Sequence, residues 1–112
     1  MKKSLTLNKQ VYEYLRTIPS GKVVTYKTIA TYLGNPKLAR VVGNILHNNP
    51  DPIKYPCYKV VNSKGGLASN FGAIGGIDTQ KKRIEKDGII VNNYKVDLKK
   101  YEYKSWIIKK TR

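Results

Sequence analysis

One residue of this chain is a candidate nucleophile: its single cysteine, Cys57, which lies in the segment YPCYKVV (residues 55–61). The thiolate form of cysteine is the nucleophile, and the positive charge of Lys59, two residues away, favours thiolate over thiol. Taken alone, a single cysteine is more often a small buried apolar side chain than a reactive group. The surrounding pattern has to decide between these two interpretations.

The sequence excludes two other roles for this cysteine. A single cysteine cannot form an internal disulfide, and Cys57 and the one histidine, His47, cannot supply the four protein ligands of a structural zinc site. We therefore expect no metal, and any chemistry must come from one thiol.

A second group of residues is suited to binding DNA. Asn35 is placed to cap a helix that begins at Pro36, where the missing N–H costs nothing, and that carries an apolar stripe through Leu46. Before it, Thr25 caps a helix over residues 26–33 that Gly34 ends. Two short helices joined in this way are typical of a helix-turn-helix, although helical bundles also use such hairpins. In the first interpretation the second helix exposes Lys37, Arg40 and Asn44 to DNA.

The remaining elements must position these side chains. Apolar spacing predicts a helix over residues 7–18, and three prolines between residues 49 and 56 predict a rigid extended loop before Cys57. Residues 58–62 and 66–69 are predicted to form a small β-hairpin, which a glycine-rich loop at 72–76 follows. A helix then runs from Asp78 or Thr79 to Asp87, and the basic tail, 91–112, packs through Val96, Leu98 and Trp106.

The charge balance points to a polyanionic partner. The 112 residues include 22 Lys and Arg against 7 Asp and Glu, which gives a net charge of +15 and an isoelectric point near 10.0. Solubility alone is the competing explanation, but the first 50 residues hold one acid, Glu13, against eight basic residues. We therefore favour DNA. The chain length predicts one domain over residues 1–112, and we expect neither a signal peptide nor a membrane span.

Residues 18–61 resemble the C-terminal domain of the O6-alkylguanine-DNA alkyltransferases, which remove alkyl groups from guanine in DNA. The resemblance rests on four ordered segments, IPSGKVVTY (18–26), GNPKLARVVG (34–43), NPDPI (49–53) and PCYKV (56–60). It continues more loosely to give a core of residues 8–90, and the separate N-terminal domain of the family has no counterpart.

The resemblance implies a role for each matching residue. Arg40 inserts into the duplex from the minor groove and fills the gap that a flipped guanine leaves, while Tyr26 crowds the phosphate of the target nucleotide. Cys57 accepts the alkyl group in a single displacement, so each molecule acts once and needs no cofactor. Asn49 braces the active-site loop. The pocket for the flipped base is lined by Leu46, Val60 and Phe71.

The chain departs from the family at the chemistry itself. The family has His and Arg where this chain has Tyr58 and Lys59, and Glu where Asp87 aligns. A tyrosine with a pKa of about 10 is almost entirely neutral at pH 7, so it cannot serve as a comparable base. Tyr58 could still relay a hydrogen bond from Cys57 to Asp87, and Lys59 could stabilise the thiolate or contact DNA.

Two alternatives follow from these departures. The short architecture and a tail reading VDLKKY (96–101) look like the alkyltransferase-like proteins, which bind alkylated guanine without transfer and mark it for nucleotide excision repair. A helix-turn-helix transcription regulator with an inert Cys57 is the third interpretation.

We predict a mostly helical α/β domain with a winged-helix-like helix-turn-helix and a small β-hairpin. It acts as a monomer in the cytoplasm or nucleus, binds duplex DNA that contains O6-alkylguanine, and transfers the alkyl group to Cys57. Excision-repair proteins would be its partners if it binds without transfer.

Overall fold

Five α-helices and one small sheet make up the parts of the chain that the computed structural model describes, residues 6–68 and 76–104. In chain order these elements are α1 (Leu7–Leu15), β1 (Val24–Thr25), α2 (Tyr26–Tyr32), α3 (Ala39–His47), β2 (Val60–Val61), α4 (Gly76–Lys86) and α5 (Leu98–Tyr101). Single 3-10 turns precede α3, at Pro36–Leu38, and β2, at Cys57–Lys59.

The two helices of the predicted helix-turn-helix form where the capping residues indicate. The Thr25 hydroxyl accepts a hydrogen bond from the Thr28 N–H at 3.0 Å, and the Asn35 side chain accepts one from the Lys37 N–H at 2.9 Å. Between the helices Gly34 has a φ of +105°, which glycine adopts without steric cost. The second helix differs from the prediction in its first turn, where residues 36–38 form a 3-10 turn before α3 begins at Ala39.

The predicted class is confirmed, but the two-stranded element is not the predicted hairpin. Strand β2 pairs in parallel with β1, with Val24 opposite Val60 and Thr25 opposite Val61. Asn62 closes a tight turn, because its N–H donates to the Gly66 carbonyl at 2.9 Å and its side chain accepts from the Gly66 N–H at 2.8 Å. Gly66 then forms an antiparallel bridge with Lys95 in the tail, so the chain after this turn does not return along β2.

The sheet separates two apolar clusters. Val24 and Val60 belong to one cluster, the helix-turn-helix cluster, together with the buried sides of α1, α2 and α3. Cys57 packs against this cluster. Val23 and Val61 belong to the other cluster, which includes Ile84 of α4. Successive side chains of a strand point to opposite faces, so these two-residue strands join the helix-turn-helix to α4 and the tail.

The tail packs against the sheet through main-chain bonds as well as side chains. The N–H of Val23 donates to the Tyr101 carbonyl at 2.9 Å, and the N–H of Tyr103 donates to the Val23 carbonyl at 2.8 Å. Val96 is buried, as predicted, and Leu98 is partly buried against the same cluster, while Trp106 lies outside the described residues. Within the described ranges, each helix is too short or too polar to cross a bilayer.

Two helix boundaries differ from the predictions. Helix α1 ends at Leu15 instead of residue 18, and Thr17 turns back to donate its hydroxyl proton to the Tyr14 carbonyl at 2.7 Å. Helix α4 includes Gly76, so Asp78 lies in its first turn and not at its N-cap.

Candidate thiol site and DNA-binding face

Cys57 lies at a sharp change of chain direction. Pro56 has φ −73° and ψ 77°, and the Cys57 N–H donates to the Tyr55 carbonyl at 2.7 Å, which is the geometry of an inverse γ-turn. Proline fixes the φ that this turn needs. A single 3-10 turn follows, closed by the hydrogen bond from the Val60 N–H to the Cys57 carbonyl. The turn leaves the thiol half-buried at the edge of the helix-turn-helix cluster.

Asn49 braces this turn and influences the thiol. Its Nδ2 donates to the Tyr55 carbonyl at 2.7 Å, and its Oδ1 accepts from the Asp51 N–H at 3.0 Å. Hydrogen-bonding influence from its side chain lowers the pKa of the Cys57 thiol. The bonds to Tyr55 and Asp51 are those that a bracing role for Asn49 requires, and both amide atoms are engaged.

Burial dominates the electrostatics of Cys57. Loss of hydration raises the pKa of the thiol above its ordinary value, whereas the Asn49 amide, the backbone N–H of Cys57 and the positive charge of Arg83 lower it. The net pKa is raised, so the protein holds predominantly the thiol at neutral pH.

Lys59 does not lie where the sequence suggested. Its side chain is only 8% exposed, and its Nζ donates to the Ile18 carbonyl at 2.9 Å. Burial lowers the pKa of Lys59, partly offset by the charge of Asp87. The prediction that Lys59 contacts DNA is therefore wrong, because its ammonium group is turned inward to satisfy a carbonyl in the chain that follows α1.

Tyr58 and Asp87 are directly hydrogen-bonded. The Tyr58 hydroxyl donates to Oδ2 of Asp87 at 2.6 Å, a short bond of the kind expected when the acceptor is a carboxylate. Burial, followed by the bond to Asp87 and its negative charge, raises the pKa of Tyr58. Tyr58 is therefore neutral and acts as a donor, and its proton is directed to Asp87. This bond is the Asp87 half of the predicted relay.

Gln80 and Arg83 of α4 contribute to the site, although the sequence analysis did not select them. The Gln80 side chain is fully buried, and its Nε2 donates to the carbonyls of Tyr58 and Val60 at 3.1 and 3.0 Å. The charge of Arg83 acts on both Cys57 and Tyr58. Gln80, Arg83 and Asp87 recur three and four residues apart, so helical spacing could have placed them on one face.

The structure describes two of the three residues predicted to line the pocket. Leu46 and Val60 are 8% and 1% exposed and belong to the cluster against which Cys57 packs, while Phe71 lies outside the described residues. Two tyrosines lie within electrostatic range of the thiol: burial and then the charge of Cys57 raise the pKa values of Tyr12 and Tyr26.

The predicted DNA contacts of the second helix and of the 3-10 turn before it are all exposed. They are Lys37, Arg40 and Asn44. Val41 is 38% exposed beside them. Its spacing had placed it in the apolar stripe predicted for this helix, and the structure leaves it outside that stripe. Tyr26, at the start of α2, is half-buried next to α3, where a Cβ on Gly43 would lie 3.9 Å from its ring. Glycine at this position lets the two helices approach closely around that ring.

The described residues hold no cluster of three or more His, Cys, Asp or Glu side chains that could bind a metal ion. Within these limits the site consists of one thiol, the Asn49 amide, the charge of Arg83 and the Tyr58–Asp87 pair.

Comparison with known proteins places the chain in a family. Residues 6–89 match the family model for the 6-O-methylguanine DNA methyltransferase DNA-binding domain. A bifunctional methyltransferase/endonuclease of Picrophilus torridus is 41% identical over 103 residues, 92% of this chain and 34% of that protein. A DNA base-flipping protein of Vibrio parahaemolyticus is 38% identical over 95 residues, 84% of this chain and 92% of that protein.

A solved structure agrees with these sequence matches. The crystal structure of Schizosaccharomyces pombe Atl1, in complex with damaged DNA containing O6-carboxymethylguanine, is 32% identical to this chain and superposes with a TM-score of 0.79 over 93% of this chain and 97% of that one. This chain thus spans about a third of the Picrophilus protein and nearly the whole of the Vibrio protein and of Atl1. The chain belongs to the 6-O-methylguanine DNA methyltransferase DNA-binding-domain family.

Proposed function

We propose that this protein recognises O6-alkylguanine in duplex DNA and accepts the alkyl group on Cys57. The observation that carries this proposal is the position of the thiol. It lies half-buried against the helix-turn-helix cluster, on a turn that Asn49 braces. The Asn49 side chain also lowers the pKa of the thiol. Support for lesion recognition comes from a relative named a DNA base-flipping protein and from the similar S. pombe Atl1, whose structure is a complex with damaged DNA.

In the recognition step, the exposed face of α3 enters the minor groove. Lys37 and Asn44 contact the backbone, and Arg40 enters the duplex in place of the guanine. Unstacking a base costs a few kcal/mol, which Arg40 and the phosphate contacts offset. Tyr26, at the start of α2, lies against the phosphate of the flipped nucleotide. Most of the affinity then comes from phosphates and carries little sequence preference, which suits damage that occurs at any position.

In the chemical step, Cys57 first loses its proton and the thiolate attacks the carbon attached to O6. A sulfur–carbon bond forms as the carbon–oxygen bond breaks, and the electron pair of that bond remains on the guanine. The guanine takes up a proton to complete its normal form, so the proton lost by the thiol is balanced. The thioether is stable, so each molecule acts once and no cofactor is required.

The site supports the thiolate only modestly. The Asn49 amide, the Cys57 N–H and Arg83 stabilise negative charge on sulfur, but burial outweighs them and raises the thiol pKa. Tyr58 is neutral and already donates to Asp87, so it takes no proton from Cys57. We therefore propose a reaction that accelerates as the pH rises.

The same features favour a second candidate, binding without transfer. A raised thiol pKa and the absence of a histidine beside Cys57 both slow the chemistry, and the similarity to Atl1 extends over 97% of that chain. In this alternative the protein holds the lesion, and excision-repair proteins act on the complex.

The Cys57→Ala variant separates the two candidates. Under transfer, wild-type protein should bind an O6-methylguanine duplex and then release it as ordinary DNA, while Cys57→Ala remains bound. The release is followed by gel shift against an unlabelled undamaged duplex. Equal persistence of both complexes would favour binding without transfer, and no preference for the lesion in either protein would contradict both candidates.

A further inference from the structure

Two carbonyls of the thiol segment need partners from outside it. A 3-10 turn of three residues leaves its last carbonyls without N–H donors inside the turn. Tyr58 and Val60 lie where this turn changes into strand β2. Val60 is linked to the thiol residue directly, because its N–H donates to the Cys57 carbonyl. Whatever holds the carbonyls of Tyr58 and Val60 therefore also holds the turn that carries Cys57.

One side-chain amide supplies both partners. Gln80 is fully buried, and its Nε2 donates to the Tyr58 carbonyl at 3.1 Å and to the Val60 carbonyl at 3.0 Å. Its Oε1 accepts from the Ala68 N–H at 2.8 Å. Both protons of the amide and its oxygen are thus used, which is the condition under which a buried amide is tolerated.

Helix α4 also holds Tyr58 from its other end. The Tyr58 hydroxyl donates to Asp87, directly after α4, while the Tyr58 carbonyl accepts from Gln80, seven residues earlier. Seven residues are about two helical turns, so both groups lie on one face of the helix. Tyr58 is therefore fixed at its main chain and at its side chain by the same rigid element, with Cys57 immediately before it.

We propose that Gln80 is a positioning residue for the Cys57 thiol. It acts through the carbonyls of Tyr58 and Val60, fixes the transition from 3-10 turn to strand, and keeps the thiol half-buried at one place against the helix-turn-helix cluster. This inference deepens the proposed function, since a fixed thiol is what an in-line attack on a flipped base requires. Its first test uses a small reagent and needs no DNA.

The test compares Gln80→Met with Gln80→Lys. Methionine matches the volume of glutamine but leaves both carbonyls without a donor. Lysine retains N–H donors for them, although it loses the acceptor for the Ala68 N–H and places an ionisable amine in a buried site. The rate of Cys57 alkylation by iodoacetamide is measured by mass spectrometry, well below the unfolding temperature of each variant. We expect alkylation to be about fivefold or more faster in Gln80→Met, because the freed turn exposes the thiol. We expect Gln80→Lys to stay within about twofold of wild type.

Ile84→Ala is the matched control. Ile84 is fully buried on the same helix and contacts the second apolar cluster, so its truncation destabilises the protein without removing a bond to the thiol segment. An equal rise in alkylation in Ile84→Ala, or an unchanged rate in folded Gln80→Met, would overturn the proposal. If Gln80→Met does not fold, Gln80→Leu is measured in the same way, since leucine also has no donor for the two carbonyls.

A second readout separates this proposal from the proposed function. With an O6-methylguanine duplex, Gln80→Met should transfer more slowly than wild type while its iodoacetamide alkylation is faster, and Ile84→Ala, which destabilises the fold without removing these bonds, should not show this opposite change. If transfer and alkylation fall or rise together, the positioning role is wrong. If the wild type does not transfer at all, the proposed transfer fails, and the iodoacetamide rates still decide the role of Gln80.

Discussion

At the scale of single residues, the site has an unusual balance around one sulfur atom. The Asn49 side chain, the Cys57 main chain and the charge of Arg83 all lower the pKa of the Cys57 thiol, yet burial still raises it. Tyr58, the residue after Cys57, donates its hydroxyl proton to Asp87. Among the described residues, the groups that lower the pKa of Cys57 thus do not offset its burial.

The reactivity of Cys57 should rise steeply with pH. The pKa of the thiol lies above its ordinary value, so the thiolate fraction and the alkylation rate should grow by about tenfold per pH unit through neutral pH. Asn49→Ala removes a group that lowers this pKa, so it should shift the pH–rate profile of alkylation to higher pH, whatever it does to the exposure of the thiol. Asn48→Ala, which removes only a bond to the Asn44 carbonyl, should not. Iodoacetamide rates measured from pH 6 to about 9 check this, and a pH-independent rate would contradict it.

The Tyr58–Asp87 bond should contribute measurably to stability. Tyr58→Phe leaves the partly buried carboxylate of Asp87 without its donor, so the free energy of unfolding should fall by about 1–3 kcal/mol. Urea unfolding of Tyr58→Phe, Asp87→Asn and the double variant measures the coupling. If the two single effects simply add in the double variant, the bond contributes nothing to stability.

At the scale of elements, two units meet at the thiol. Helix α3 and the 3-10 turn before it expose Arg40 and Lys37, and Gln80 of α4, with Asp87 directly after it, holds the segment that carries Cys57. The parallel pair β1 and β2 joins them, because Val24 and Val60 pack on one unit while Val23 and Val61 pack on the other. In the proposed function, lesion contact and thiol position would thus depend on different helices that share one small sheet.

The exposed face of α3 should separate lesion preference from general affinity. Arg40 is exposed, so Arg40→Ala should leave stability within about 0.5 kcal/mol of wild type while it reduces the preference for O6-methylguanine over guanine. Lys37→Ala, one turn earlier on the same exposed face, should weaken binding to both duplexes by a similar factor. Fluorescence anisotropy with matched duplexes measures both affinities. An unchanged lesion preference in Arg40→Ala would remove Arg40 from the role of filling the duplex.

The sequence predicts correctly those elements whose signal lies within a few neighbouring residues. Thr25 and Asn35 cap their helices as expected, because an N-cap depends only on the next three residues. The pairing of β1 with β2 could not be predicted, since strands of two residues that are 36 positions apart carry no periodicity of their own. The same holds for Lys59 and Gln80: lysine and glutamine are usually exposed, and their burial follows from carbonyls that only the tertiary fold leaves unpaired.

At the scale of the whole molecule, the net charge of +15 suits contact with DNA phosphates that does not depend on base sequence. The structure distributes that charge unevenly: Lys37 and Arg40 are exposed beside α2, while Lys59 is turned inward. In the proposed function, affinity and chemistry are therefore separate: the surface charge would bring the protein to DNA, and the half-buried thiol would act on the base that is rotated out.

The salt dependence of binding should show which basic residues contact phosphate. The slope of log affinity against log salt falls by about 0.9 for each phosphate contact that is lost, so Lys37→Ala should reduce it by roughly that amount. Lys59→Met removes an equal charge from the interior and should leave the slope unchanged, although the protein should be less stable once the Ile18 carbonyl loses its donor. Equal changes of slope in the two variants would show that Lys59 contacts DNA phosphate after all.

The most direct test of alkyl transfer to Cys57 is the intact mass of the protein after incubation with an excess of O6-methylguanine duplex at mildly alkaline pH. We predict that the protein gains one methyl group, that peptide mapping places it on Cys57, that the gain stops at one per molecule, and that Cys57→Ala gains none. Unmodified protein that nonetheless binds the lesion duplex more tightly than undamaged DNA would contradict transfer and leave lesion binding as the function.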